Sequence, residues 1–518
     1  MRKITFVAIL ILTAWLTLPL SAQQHWVMRG NCMPDSETAA GDGGGRAASR
    51  APRHLPMPKT TWNSERTYPV AVVLMEAKDT TFSIESPSEF YQRLFNERGF
   101  NQGNGMGCVA DYFRDQSNGL LNLEFHIYGP VKVSFSMRPS DQYGINAFRE
   151  AMQKVVADHP DVDYKQYDWD GNGAVEQVVF VYAGFGGNET VKRANGCIWP
   201  NTSSFATVTT PDGVKIYNYT ASAELWATNS QSCGIGTICH EFSHSLGLPD
   251  IYPTSDDAGY SVVDEWDLMD GGNFINYGWC PPNYTPIEKM RMGWLTFAEL
   301  TEPTSVRGLK PSAGGGEVYR ISHSSSEWLI LENRQQKGWD AGVPGKGLVI
   351  YHVNYDQSVW QGNRVNNDMT HRRFKLIHAD NLDYDGWTAR FGKDAYPYQN
   401  PGRMNSYLLS TSAFPWSTDS TSFVNNELTD NSVPAVAMYY PNEEGGMLLG
   451  KPITNISLSD DGLISFDFCG GAPSAINDIH PSTLTIHPSP RYDLLGRRVN
   501  GRPSKGIYIV EGKKVVIH

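Results

Sequence analysis

His240-Glu-Phe-Ser-His-Ser-Leu-Gly-Leu-Pro-Asp250 is the stretch on which the reading of this chain turns. His240 and His244 are four residues apart, so on a helix their imidazoles share one face and point the same way. Two imidazoles so placed can hold a zinc ion. Glu241 lies one step around that helix, beside the metal, where it can take a proton from a water activated there. Gly247 suits a left-handed helix stop and Pro249 prevents the helix from resuming. Asp250 is then free to turn back as a third ligand. The alternative is an amphipathic helix with two surface histidines.

The flanks argue for a buried helix. Ile235, Ile238, Phe242 and Leu246 recur at helical spacing, which packs one face on a core while the histidines face a cleft. Further on comes Trp266-Asp-Leu-Met269-Asp-Gly-Gly272. A methionine before paired glycines suits a tight turn whose thioether forms a soft apolar floor beneath a metal.

The order HExxHxxGxxD and then Met269 resembles the metzincin clan of zinc endopeptidases. The wider pattern is similar to the immune-inhibitor-A-type family of secreted bacterial metalloproteases. That likeness is carried by Tyr68-Pro-Val-Ala-Val-Val-Leu-Met75, Asp111-Tyr-Phe113 with Ser117-Asn-Gly119, and Asp168-Trp-Asp-Gly-Asn-Gly173. Lys289-Met-Arg-Met-Gly-Trp294, Leu331-Glu-Asn-Arg334 and Gly347-Leu-Val-Ile-Tyr-His352 continue it. It extends over roughly residues 66–470. Most metzincins have a third histidine where this chain has Asp250, whereas the immune-inhibitor pattern has aspartate, an acceptable oxygen ligand. The resemblance implies hydrolysis of peptide bonds in protein substrates, with zinc polarising the scissile carbonyl and Glu241 as general base and acid. Tyr277 is a candidate for steadying the oxyanion. Two other readings share these residues: a catalytically silent surface-binding protein on a protease scaffold, and a zinc hydrolase of a non-peptide substrate.

Composition fits an exported protein of several parts. The chain has 518 residues, enough for two or three domains. A formal charge of −12 argues against nucleic acid and anionic membrane surfaces as partners. Arg2 and Lys3, an apolar run to Leu20 and the small Ser21-Ala22 read as a signal peptide over 1–22. Nothing later is apolar and long enough to span a bilayer. Residues 23–65 read as propeptide and linker, with Arg46, Arg50 and Arg53 open to a trypsin-like processing enzyme. Cys32 within that stretch is a candidate latency switch, its thiolate placed on the zinc of a zymogen. The chain has seven cysteines. Without Cys32, six remain, either as up to three disulfides among fifteen pairings or as buried free thiols.

A second metal site is expected at Asp168, Asp170, Asn172 and Glu176. Oxygen donors fall at alternate positions and Gly173 permits the sharp turn, as in the opening of an EF-hand loop. The closing glutamate is missing, since Val179 stands at the twelfth position. Calcium there would serve stability rather than chemistry. His352, His371 and His378 lack helical spacing and are left as structural.

The expected fold class is α+β. A metzincin-like catalytic domain over 66–298 has a twisted sheet, the active-site helix and the Met-turn. A β-rich, sandwich-like region follows over 299–472, and a small β module over 473–518. Strands are expected over Val70–Met75, Leu121–Val133 and Val175–Ala183, and helices over Pro87–Arg98 and Ala147–Ala157. Tyr492-Asp-Leu-Leu-Gly-Arg-Arg-Val499 with Lys505–Val510 and Gly512–Val515 resembles the sorting domain of type IX secretion cargo. That implies the type IX machinery as a partner and a secreted or surface-attached monomer.

Overall fold

In a computed structural model, the described residues are 55–471 apart from 57–58, 190, 256–260, 392–408 and 418–423, plus short strands between 491 and 517. The signal peptide, Cys32 and the arginine cluster lie outside them.

The first sheet comprises β1 (Thr67–Glu76), β2 (Asn122–Lys132), β3 (Val178–Phe185), β4 (Asn201–Thr209) and β5 (Lys215–Leu225), in the order β2-β1-β3-β5-β4. β1, β2, β3 and β5 run parallel, and β4 closes the edge antiparallel to β5. Helices cover both faces, so the central strands are apolar on both sides, as in buried parallel sheets. Val70, Val72 and Leu74 enter one core with α1 (Pro87–Asn96), α2 (Val109–Gln116) and α4 (Gly236–Ser245). Ala71, Val73 and Met75 enter the other with Phe148, Ala151 and Met152 of α3 (Ile145–Asp158). β3 begins at Val178 rather than Val175, because the acidic loop turns until Gln177.

A short α5 (Pro286–Arg291) ends this region. Beyond it, β6 (Ala298–Glu299), β8 (Tyr319–Ser322), β9 (Glu327–Arg334), β10 (Gly347–Asn354) and β11 (Phe374–Leu376) form a second five-stranded sheet. β7 (Thr304–Leu309), β14 (Ile453–Leu458) and β15 (Ile464–Phe468) form a three-stranded one. Ile321, Leu329, Leu331 and Ile350 of the larger sheet share a core with Val306, Ile456 and Phe466 of the smaller. β12 (Trp416–Ser417) pairs with β13 (Val424–Asn425). Near the C-terminal end, β16 (Arg491–Tyr492), β17 (Arg498–Val499), β18 (Gly506–Val510) and β19 (Lys513–Ile517) make a small antiparallel sheet. The fold is thus mixed α/β with several sheets.

Two local devices set the active-site helix. Gly236 opens α4 against residues 273–278, where a Cβ would lie 2.1 Å from the Asn273 carbonyl oxygen. At the other end Gly247 takes φ 93°, and the Leu248 N–H reaches back to the Ser243 carbonyl at 3.1 Å. That is a left-handed stop, available cheaply only to glycine. The six described cysteines are free thiols. Cys108 caps α2 by accepting from Asp111 N–H at 3.3 Å.

Candidate metal centre

His240 and His244 project from α4, and the chain reverses after Gly247 to bring Asp250 beneath them. Asp250 Oδ1 lies 3.2 Å from His240 Nε2 and 3.3 Å from His244 Nε2. All three side chains are buried, and their ligand atoms lie within 4.8 Å of one another. Backbone carbonyls set both imidazole tautomers. His240 Nδ1 donates to Leu268 O at 2.8 Å, and His244 Nδ1 donates to Leu248 O at 2.8 Å. A carbonyl can only accept, so each Nδ1 carries a proton and each Nε2 is the nitrogen turned toward the metal position.

Electrostatics ask for a cation at that point. Burial disfavours charge on His240, yet the Asp250 carboxylate beside it carries the imidazole up to about 9. Burial equally opposes charge on Asp250, but the two imidazoles hold its carboxyl well below the usual carboxylate range. A buried carboxylate oxygen that meets two imidazole nitrogens, with a proton there that a cation can displace, is a donor set zinc takes up.

Met269 is fully buried at the turn that carries the Leu268 carbonyl. Its N–H donates to Asp267 Oδ1 at 2.6 Å, and its carbonyl accepts from Ile251 N–H at 2.8 Å. The turn is thereby stitched to the chain just past Asp250. Glu241 is buried next to His240. Tyr252 stacks parallel to the His240 ring, centroids 6.3 Å apart. Tyr277 packs its ring against Trp226 and takes φ 56°.

Two partners of these residues come from far along the chain. Thr202, on edge strand β4, donates from Oγ1 to the Glu241 carbonyl at 2.6 Å and to Glu241 Oε2 at 2.9 Å. Behind it, Thr220 Oγ1 lies 3.3 Å from Thr202 Oγ1 and accepts from the Gln177 amide. Asn363, from the second region, holds Asp250. Neither contact has a local signal, because sequence separations of 39 and 113 residues leave no spacing to read.

The acidic loop also assembles, in part. Asp168, Asp170 and Glu176 bring carboxylate oxygens within 4.8 Å of one another. Asn172 is turned to its neighbours, donating to Asp170 Oδ2 at 3.0 Å and accepting from Ala174 N–H at 2.9 Å. Burial, with Asp170 nearby, pushes Glu176 up to about 7.

A helix-borne His-Glu-His set closed by an aspartate on a buried turn is the donor arrangement found in metal-dependent hydrolases of the HExxH class. Residues 73–286 match the family described as Immune inhibitor A peptidase M6, catalytic domain. The chain is 22% identical over 381 residues to the pre-pro-metalloprotease PrtV of Vibrio cholerae serotype O1, a match covering 64% of this chain and 40% of that protein. It is 25% identical over 347 residues to immune inhibitor A of Bacillus thuringiensis subsp. alesti, covering 59% and 49% respectively. Each match spans less than half of the relative's length. Over residues 73–286 the chain is thus similar to the catalytic domain of the immune inhibitor A peptidase M6 family.

Proposed function

We propose that the chain is an exported zinc endopeptidase that hydrolyses peptide bonds in protein substrates. The observation that carries this is the convergence of His240 Nε2, His244 Nε2 and Asp250 Oδ1 on one buried point beside Glu241. Zinc held by His240, His244 and Asp250 would supply a Lewis acid, able to polarise a scissile carbonyl and to acidify a water. Glu241 takes the proton of that water and returns it to the leaving amine nitrogen. Thr202 holds one Glu241 carboxylate oxygen, which fixes the carboxylate for that transfer. Leu268 O and Leu248 O keep both imidazoles in the ligating tautomer, and Asn363 keeps Asp250 turned toward them.

Casein or gelatin tests the reading. Activated chain should cleave it, a chelator should abolish cleavage, and Glu241→Gln should be inert while still binding zinc. Zinc-loaded wild type that cleaves neither protein would favour the silent-scaffold or non-peptide readings.

The remaining assignments form one picture. Calcium at Asp168, Asp170 and Glu176, with Asn172 beside them, would stabilise the loop that leads into β3; the raised Glu176 carboxyl supports a cation there. An N-terminal signal peptide and an arginine-rich propeptide make this a zymogen, with Cys32 as its latency switch. Cys32→Ser with unchanged latency would remove that last element. The type IX sorting assignment draws support from the small sheet β16–β19. It implies release outside the cell or attachment at its surface. Deleting 473–518 should then block export.

A further inference from the structure

The second region reaches into the metal centre. After β10, α6 (Gln357–Gln361) leads into Asn363-Arg-Val-Asn366-Asn367, and this stretch closes over residues 250–254. Asn363 meets Asp250 twice: its Oδ1 accepts from Asp250 N–H at 2.7 Å, and its Nδ2 donates to Asp250 Oδ2 at 2.8 Å. Its carbonyl accepts from Thr254 Oγ1 at 2.8 Å. Asn367 Oδ1 accepts from Thr254 N–H at 2.7 Å, and Asn366 Nδ2 donates to Ile251 O at 2.8 Å. Three asparagines therefore read one backbone segment, and only Asn363 touches the ligand itself.

The stretch is anchored from behind. Asp356 caps α6 through Ser358 N–H at 2.9 Å, and buried Trp360 packs against the Arg291 guanidinium at 5.0 Å. Leu55, buried, donates its N–H to Gln361 O at 2.8 Å. Asn363 itself is 6% exposed and sits at φ 51°, a left-handed conformation that asparagine and glycine tolerate.

We infer that Asn363 is the positioning residue for Asp250, so that the zinc site is assembled from both regions rather than by residues 73–286 alone. By occupying Oδ2 and the backbone N–H, Asn363 leaves only Oδ1 facing the two imidazoles, which makes Asp250 a one-oxygen ligand of fixed direction. Partners of metal ligands that set orientation in this way commonly matter 10–100-fold for metal affinity. The inference rests on the zinc reading above and adds a residue outside the family-matched segment.

The full chain tests it through Asn363→Gly, Asn363→Asp and Asn367→Ala. Glycine accepts φ 51° without strain, so Asn363→Gly deletes the amide alone. Asn363→Asp keeps the acceptor but replaces the donor with a second carboxylate. The readouts are zinc affinity by chelator competition, the visible spectrum of the Co2+-loaded protein, and the thermal midpoint of the metal-free protein. Both Asn363 variants should bind zinc about 10–100-fold more weakly and shift the cobalt bands, and the metal-free midpoint reports separately the stability lost where Asp250 loses its partners. Asn367→Ala, which spares the Asp250 contacts, should keep wild-type zinc affinity. Unchanged affinity in Asn363→Gly, or equal losses in Asn363→Gly and Asn367→Ala, would overturn the inference. A wild-type chain that takes up neither ion would instead overturn the metal reading, and this inference with it.

Discussion

The Thr202 hydroxyl is the sharpest probe of how Glu241 is held. Gln177 donates its amide to Thr220 Oγ1, so the Thr220 proton is free to reach Thr202 Oγ1, and the Thr202 proton goes on to Glu241. That proton is shared between the Glu241 carbonyl at 2.6 Å and Oε2 at 2.9 Å. A hydrogen bond to a charged group contributes about 1.5–3 kcal/mol. Because this one is divided between two acceptors, the lower end applies, about 1.5 kcal/mol. If the loss falls on the transition state, that is roughly tenfold in kcat, at about 1.4 kcal/mol per decade. Thr202→Val keeps the shape and removes the hydroxyl; Thr202→Ser keeps the hydroxyl. Initial rates on a fluorogenic peptide cut by the wild type should show kcat down about tenfold for Thr202→Val, with KM and zinc content unchanged. Thr202→Ser should stay near wild type. Wild-type kcat in Thr202→Val, or equal losses in both variants, would show that Thr202 packs rather than orients.

Three further outcomes follow from the same geometry. Asp250→Ala should lose zinc together with activity, whereas Glu241→Gln should keep zinc and lose about 100-fold or more in kcat; metal analysis of the purified variants separates the two. Calcium should raise the thermal midpoint of Glu241→Gln, by about 2.7 kcal/mol of stabilisation at a hundredfold excess over Kd, and Asp168→Asn should abolish that rise. Ser305, Asn455 and Arg307 donate to Asp467 and hold its carboxyl down at about 2, below the ordinary value of about 3.9. A depressed acid stabilises the fold above its unfolded value, and that contribution is lost as pH falls from about 4 to about 2. Asp467→Asn should therefore be less stable at pH 7 and lose less stability across that window; parallel denaturation profiles for the two proteins would refute it.

What could be read from the sequence was whatever is local. The His240–His244 face, the Gly247 stop and the acidic turn at 168–176 each depend on residues within a few positions of one another, and spacing alone exposes them. Edge strand β4 escaped because Asn201–Thr209 is mostly polar, with only part of its length buried, so it shows no long apolar run. Capping of α2 by Cys108 escaped because cysteine is not among the usual N-cap residues. The Lys289–Trp294 and Leu331–Arg334 segments were visible as patterns but had no stated task.

The structure gives those segments one, and it bears on how the metal centre is built. All eight residues of β9 are buried, Glu332, Asn333 and Arg334 included. Arg334 pairs with Asp340 and donates to Trp266 O at 2.5 Å and to Asn283 O at 3.3 Å, so a cation of the second sheet holds both flanks of the Met269 turn. Arg291, from α5, reaches Gly247 O at 3.4 Å and the Tyr355 hydroxyl at 2.6 Å, spanning from the stop of the zinc helix to the end of β10. A buried ion pair is a poor source of net stability, but removing one member strands the other at a cost of about 3–5 kcal/mol. Arg334 and Asp340 both belong to the second region, but this buried pair also donates to Trp266 O and Asn283 O and accepts from Asn283 N–H, so the second region must dock in register for these backbone groups to be met. Docking in that register is also what delivers Asn363 to Asp250. A turn held by Arg334 and a ligand held by Asn363 make the β-rich region part of the active site's construction.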